Sequence, residues 1–80
     1  MKVLYLTLHK KWFDMIAGCE KTEEYRDRKP YWIKRLRGKR FDVIHFRNGY
    51  RPTSRIMMVE CLGIEENGGE FVIKLGEILK

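Results

Sequence analysis

From Phe41 onward the chain reads as three strands with no crossover helix between them, and this limits its fold more than any other feature. Phe41, Val43 and His45 alternate with Asp42, Ile44 and Phe46 in a strand-like run that meets the turn signal Asn48-Gly49. Arg55–Ile64 follows as a long strand-like run, and Asn67-Gly68-Gly69 turns it into Phe71–Leu75. Parallel strands need a crossover of a dozen or more residues, usually helical, and these three runs have none between them. An antiparallel hairpin is expected for the last two, and a parallel α/β sheet is disfavoured.

The first half reads differently. Val3, Tyr5 and Thr7 alternate with Leu4, Leu6 and Leu8, which predicts a strand with an apolar inner face. Trp12, Met15 and Ile16 then recur at helical spacing, widened by Phe13 and Ala17, and Gly18 is expected to stop the helix. No good N-cap precedes it. Pro30 suits the first turn of a second short helix, with Trp32, Ile33 and Leu36 inward, Lys34, Arg35 and Arg37 outward, and Gly38 ending it. The order is β-α-β-α-β-β-β over one domain, 1–80. An α+β fold is expected: a small, partly closed β-barrel of about five strands, its ends plugged by two short helices.

Between the helices lies GCEKTEEYRD, Gly18–Asp27. On a strand its spacing puts Glu20, Thr22, Glu24 and Arg26 on one face, and Lys21, Glu23, Tyr25 and Asp27 on the other. A segment charged on both faces is either a protected edge strand or the wall of a wet cleft. The distribution of charge favours the cleft. The net charge is +6, yet residues 28–55 carry ten Lys and Arg against Asp42 alone. Tyr31, Trp32, Phe46 and Tyr50 interleave with these cations, the footprint of a surface that meets phosphates and bases.

Other classes are set aside on composition. No apolar run is long enough to span a membrane, and the start at Met1 carries no signal-peptide pattern, so a cytoplasmic location is the default expectation. Cys19 and Cys61 are far apart, without His or Cys neighbours at metal-ligand spacing; both read as reduced thiols, and neither metal nor cofactor is expected. His9 and His45 lack partners at metal or dyad spacing and read as core residues without a role. Met57 and Met58 read as core filler.

At GCEKTEEYRDRKPYW the chain resembles the ASCH domain family of the PUA-like superfamily, whose signature is Gly-x-Lys-x-x-Glu-x-Arg at the end of the first helix. Lys21, Glu24 and Arg26 match in identity and spacing; Gly18 falls one position early, so Cys19 occupies the family's glycine position. The short strand before the motif, the basic-aromatic helix after it and the closing FVIKLGEIL strand also fit, so the resemblance covers nearly the whole chain. It implies a small barrel with the motif facing a cleft that takes RNA or a modified nucleoside. One branch of the family hydrolyses acetylated cytidine with a Lys, a Thr and a Glu. That Thr falls where this chain has Glu24, which places the chain with the Glu-bearing majority.

The expected ligand-binding set is therefore Lys21, Thr22, Glu24, Arg26, Tyr31, Arg47, Asn48, Tyr50 and Arg51. Glu24 and Arg26, two apart on one strand face, can pair or bracket a polar ligand: a guanidinium suits phosphate or a base edge, a carboxylate an exocyclic amine. Tyr31 and Tyr50, at element boundaries beside cations, are the stacking candidates, whereas Tyr25 and Trp32 are expected in the core. Arg47, Asn48 and Arg51 surround one turn, which a simple hairpin would also explain. Two alternatives compete with RNA binding. One is an amidohydrolase for an acylated nucleoside, with Lys21 activating a hydroxyl or water and Glu24 moving the proton. The other is a protein-interaction or regulatory module whose basic face meets an acidic partner.

Overall fold

A computed structural model describes residues Met1–Lys80. Seven elements follow in the order β1 Val3–Leu8, α1 Lys10–Ala17, β2 Glu23–Asp27, α2 Pro30–Leu36, β3 Val43–Asn48, β4 Ile56–Asn67 and β5 Glu70–Ile78. The strands form one curled sheet in the order β1-β3-β4-β5-β2, so the fold is α+β: a partly open barrel with two short helices. β1 runs parallel to β3, and every other neighbouring pair is antiparallel.

The pairing follows from connection length. β4 and β5 are joined by Gly68-Gly69 alone, with Gly68 at φ +54, a conformation that glycine adopts without steric cost. β1 and β3 can lie parallel because two helices and β2 intervene between them in the chain. The turn expected at Asn48-Gly49 is longer than a tight hairpin: residues 49–55 form a loop, closed where the Asn48 N–H donates to the Arg55 carbonyl at 2.9 Å. Register shifts between Val59 and Cys61 and between Cys61 and Gly63 mark bulges in β4, which bend the strand and curl the sheet.

The concave face holds the core. Leu4, Leu6 and Leu8 of β1 point inward as their alternation requires, and Ile44, Phe46, Met57, Val59, Phe71 and Ile73 meet them from the other strands. Phe13 and Ile16 of α1 and Leu36 of α2 close the cluster, each at most 2% exposed. Met58, unlike Met57, is only half-buried. His9 is exposed at the start of α1, without a side-chain capping bond, and half-buried His45 packs against the Tyr5 ring with centroids 5.0 Å apart; neither is a core residue.

α1 ends at Ala17, where Gly18 is expected to stop it, but the left-handed turn comes one residue further on. Gly18 has ordinary helical-side angles (φ −88, ψ 7), and the left-handed residue is Cys19 at φ +60. The Cys19 N–H donates to the Ile16 carbonyl (3.0 Å) and the Glu20 N–H to the Met15 carbonyl (2.8 Å). These two bonds are the Schellman pattern, with cysteine at the position that usually carries glycine. The reversal turns the chain sharply from α1 into β2 and sets Lys21 beside the strand.

Because β1 and β2 are the two edges of a curled sheet, they face each other across its unclosed seam. No helix is long and apolar enough to cross a membrane.

Candidate functional site

The seam opens into a cleft of about 790 Å³, lined by Tyr5–Leu8 of β1 and His9 after it, by Lys21 and Glu24–Arg26, and by residues of α1, α2 and the 49–55 loop. Its size is in the range of small-ligand sites.

Glu24 stands at its base. The side chain is the only polar one buried in the protein, 5% exposed, because strand alternation turns it inward beside Arg26. Burying a carboxylate is tolerable only with compensating partners. Lys21 Nζ lies 3.1 Å from Glu24 Oε1, and Arg26 Nη1 donates to Glu24 Oε2. One carboxylate between two cations leaves the cluster with one net positive charge.

Its two cations do different work. Arg26 Nη1 also donates to the Tyr25 carbonyl at 2.9 Å, and Nη2 to the Thr7 carbonyl across the seam at 3.3 Å. The guanidinium lies 5.2 Å from the Trp32 ring centroid. Most of its donors are thus spent within the protein. Lys21, by contrast, spends its ammonium on Glu24 alone and lies 4.8 Å from the Tyr25 ring centroid and 5.5 Å from that of Trp12. With three donors and one acceptor, it has hydrogen bonds left for a ligand.

The expected site residues separate into two groups. Lys21, Glu24, Arg26, Tyr31 and Tyr50 converge on the cleft. Thr22, Arg47, Asn48 and Arg51 are not among its lining residues. Thr22 is exposed, and its carbonyl accepts from the Leu75 N–H. Arg47 folds under the 49–55 loop, its Nη2 donating to the Arg51 carbonyl at 2.6 Å, while its buried Nε has no acceptor.

Some placements depart from expectation. Lys21 shares the Glu24 side of the segment, because β2 begins only at Glu23 and strand alternation does not reach back to residue 21. Tyr25 is 44% exposed at the cleft rim, not in the core, and its hydroxyl donates to Glu23 at 2.6 Å. Trp32 is half-buried, one side on the core and the other on the cleft. Trp12, read as part of the α1 core stripe, is 40% exposed on the cleft wall.

One regularity emerges that composition alone does not reveal. Every tyrosine and tryptophan of the chain, Tyr5, Trp12, Tyr25, Tyr31, Trp32 and Tyr50, lines this cleft. The four phenylalanines lie elsewhere: Phe13, Phe46 and Phe71 in the core, Phe41 packed against it. Rings with a polar handle sit where one side is wet, and rings without one are buried.

No group of three or more His, Cys, Asp or Glu side chains is arranged to hold a metal ion. Cys19 and Cys61 are free thiols, and burial pushes the Cys61 thiol above its usual range. Comparison with models of known families, with curated proteins and with solved structures finds no match.

Proposed function

We propose that the protein is an RNA-binding domain of the ASCH type, PUA-like in fold, which takes a base or modified nucleoside of a single strand into the seam cleft. The observation that carries this reading is the concentration of all six tyrosines and tryptophans around a buried carboxylate bracketed by two cations. Aromatic faces stack on any base, at about 1–3 kcal/mol per base. Edge recognition then falls to Lys21 as donor and to the remaining lone pairs of Glu24, which suit an exocyclic amine. The Lys21, Glu24 and Arg26 motif supports the family assignment.

Since every fluorescent side chain of note lines the cleft, intrinsic emission reports on its occupancy. Titration with a mixed-sequence ribohexanucleotide is expected to quench that emission, more weakly at about 200 mM salt than at about 50 mM. Lys21→Ala is expected to weaken binding while leaving the fold intact. Unchanged emission at saturating RNA defeats the proposal.

The hydrolytic alternative draws on the same Lys21 and Glu24, but the two are engaged with each other and the Thr22 hydroxyl lies outside the cleft. Incubation with acetylated cytidine is therefore expected to show binding without release of acetate.

A further inference from the structure

A second groove, about 570 Å³, continues from the cleft on the far side of Tyr5, Tyr31 and Trp32, which line both. Four cations border it: Lys2 beside the start of β1, Lys34 and Arg35 on α2, and Lys39 after it. No carboxylate is among its lining residues. None of the four side chains joins an ion pair, whereas Arg28 and Arg37 share Glu66, Lys29 meets Asp27, and Arg55 meets Asp14. The strongly basic middle of the chain is thus partly neutralised elsewhere, whereas these four side chains have no carboxylate partner; the Asp42 carboxylate beside Lys2 accepts from the Lys2 backbone N–H at 2.7 Å. Lys2, from far away in sequence, joins the same patch. Two of the cations rest against rings, Arg35 at 4.2 Å from the Tyr31 centroid and Lys2 at 5.9 Å from that of Phe41.

We infer that this groove holds the phosphodiester backbone of the strand whose base enters the cleft. The inference rests on the cleft reading and adds a direction: the strand leaves the cleft over Tyr31 and runs along α2 towards Lys39. Continuity through shared walls makes one ligand span both, and only a ligand with stackable rings at one end and repeated negative charge beyond it fits the two. Flexible, unpaired lysines suit phosphates as point charges and need no fixed geometry.

The test compares two fluorescein-labelled hexamers of one sequence, a normal ribohexanucleotide and a methylphosphonate version with an uncharged backbone. Proteins are the wild type and the triple variant Lys2→Ala, Lys34→Ala, Lys39→Ala, whose replaced side chains are exposed and make no ion pair. The normal hexamer is expected to lose at least tenfold in affinity for the triple variant at low salt. Its log–log salt slope should flatten by about 2, from roughly 0.7 per lost phosphate contact. The uncharged hexamer should bind both proteins alike and quench the cleft emission of both.

An unchanged affinity and slope for the normal hexamer overturns the groove while leaving the cleft reading standing. Failure of both hexamers to quench wild-type emission overturns the two together. A hexaglutamate peptide that binds as tightly as the RNA, or a free nucleoside triphosphate that competes as well as the hexamer, overturns the strand assignment.

Discussion

Arg26 Nη2 reaches the carbonyl oxygen of Thr7, 3.3 Å away, and so joins β2 to β1 across a seam that no ladder of backbone hydrogen bonds closes. The same guanidinium holds Glu24. One side chain thus both ties the two sheet edges together and holds the buried carboxylate of the cleft, and these contacts can be probed by experiment.

Arg26→Ala is expected to lower unfolding stability by about 1–3 kcal/mol, since it removes charge-assisted bonds to a buried carboxylate and to a backbone carbonyl. Amide exchange in β1 should accelerate with it. Lys21→Ala, at the more ligand-facing position, is expected to cost less stability and more affinity. Urea unfolding and hydrogen exchange measure the first effect, RNA titration the second. Equal loss of stability in both variants contradicts the division of labour.

Glu24→Gln leaves two cations, 13% and 16% exposed, without the charge between them. Breaking a buried pair in this way costs up to about 3–5 kcal/mol, and the lower end applies because some solvent reaches both partners. Lys21→Met in the same chain removes one of the stranded charges. The double variant is therefore expected to be less destabilised than the sum of the singles, with a coupling of about 0.5–3 kcal/mol in a double-mutant cycle.

Cys19 carries a left-handed backbone, φ +60, at the Schellman position after α1. A side chain there costs about 1–2 kcal/mol relative to an ordinary conformation, and glycine avoids the clash while losing more entropy on folding. Cys19→Gly is accordingly expected to stabilise by about 0.5–1 kcal/mol, a rise of several degrees in Tm for a domain of this size. Cys19→Val, β-branched, should lower Tm. Scanning calorimetry of the two variants gives the comparison.

Features set by neighbouring residues were legible in the sequence, and features set by closure were not. The Leu4, Leu6, Leu8 alternation and the Gly68-Gly69 hairpin are local, and the two short helices appear where Pro30 and the Trp12, Met15, Ile16 spacing place them. The left-handed turn at Cys19 was not visible, because Gly18 beside it is the residue that composition nominates. Trp12 looked like core because a helix of eight residues offers too few turns to separate its buried stripe from the flank that faces the seam. Tyr5 and Thr7 join Lys21 and Arg26 only because the strand order carries β1 and β2 to opposite edges and the bulged β4 curls them together. Nothing in a linear pattern encodes that meeting.

Acid should weaken the fold through its surface carboxylates. The Arg37 guanidinium, donating to Glu66 with Arg28 nearby, holds the Glu66 carboxyl below its ordinary value of 4.5. Lys74, with the Tyr25 hydroxyl, does the same for Glu23, and Lys10, with Arg55, holds Asp14 below 3.8. Each group binds protons more readily when unfolded than when folded, so stability rises with pH across the interval between the two values. The contribution is complete above the ordinary carboxylate range and is lost as pH falls through the depressed folded values. Urea midpoints are therefore expected to stay level from about pH 7 to pH 5.5 and to drop below about pH 4.5. Because these pairs are exposed to solvent, added salt at about 1 M should flatten the drop, and Glu66→Gln should make it shallower at low salt. A midpoint that falls equally steeply in the Glu66→Gln variant would place the acid-sensitive charge elsewhere.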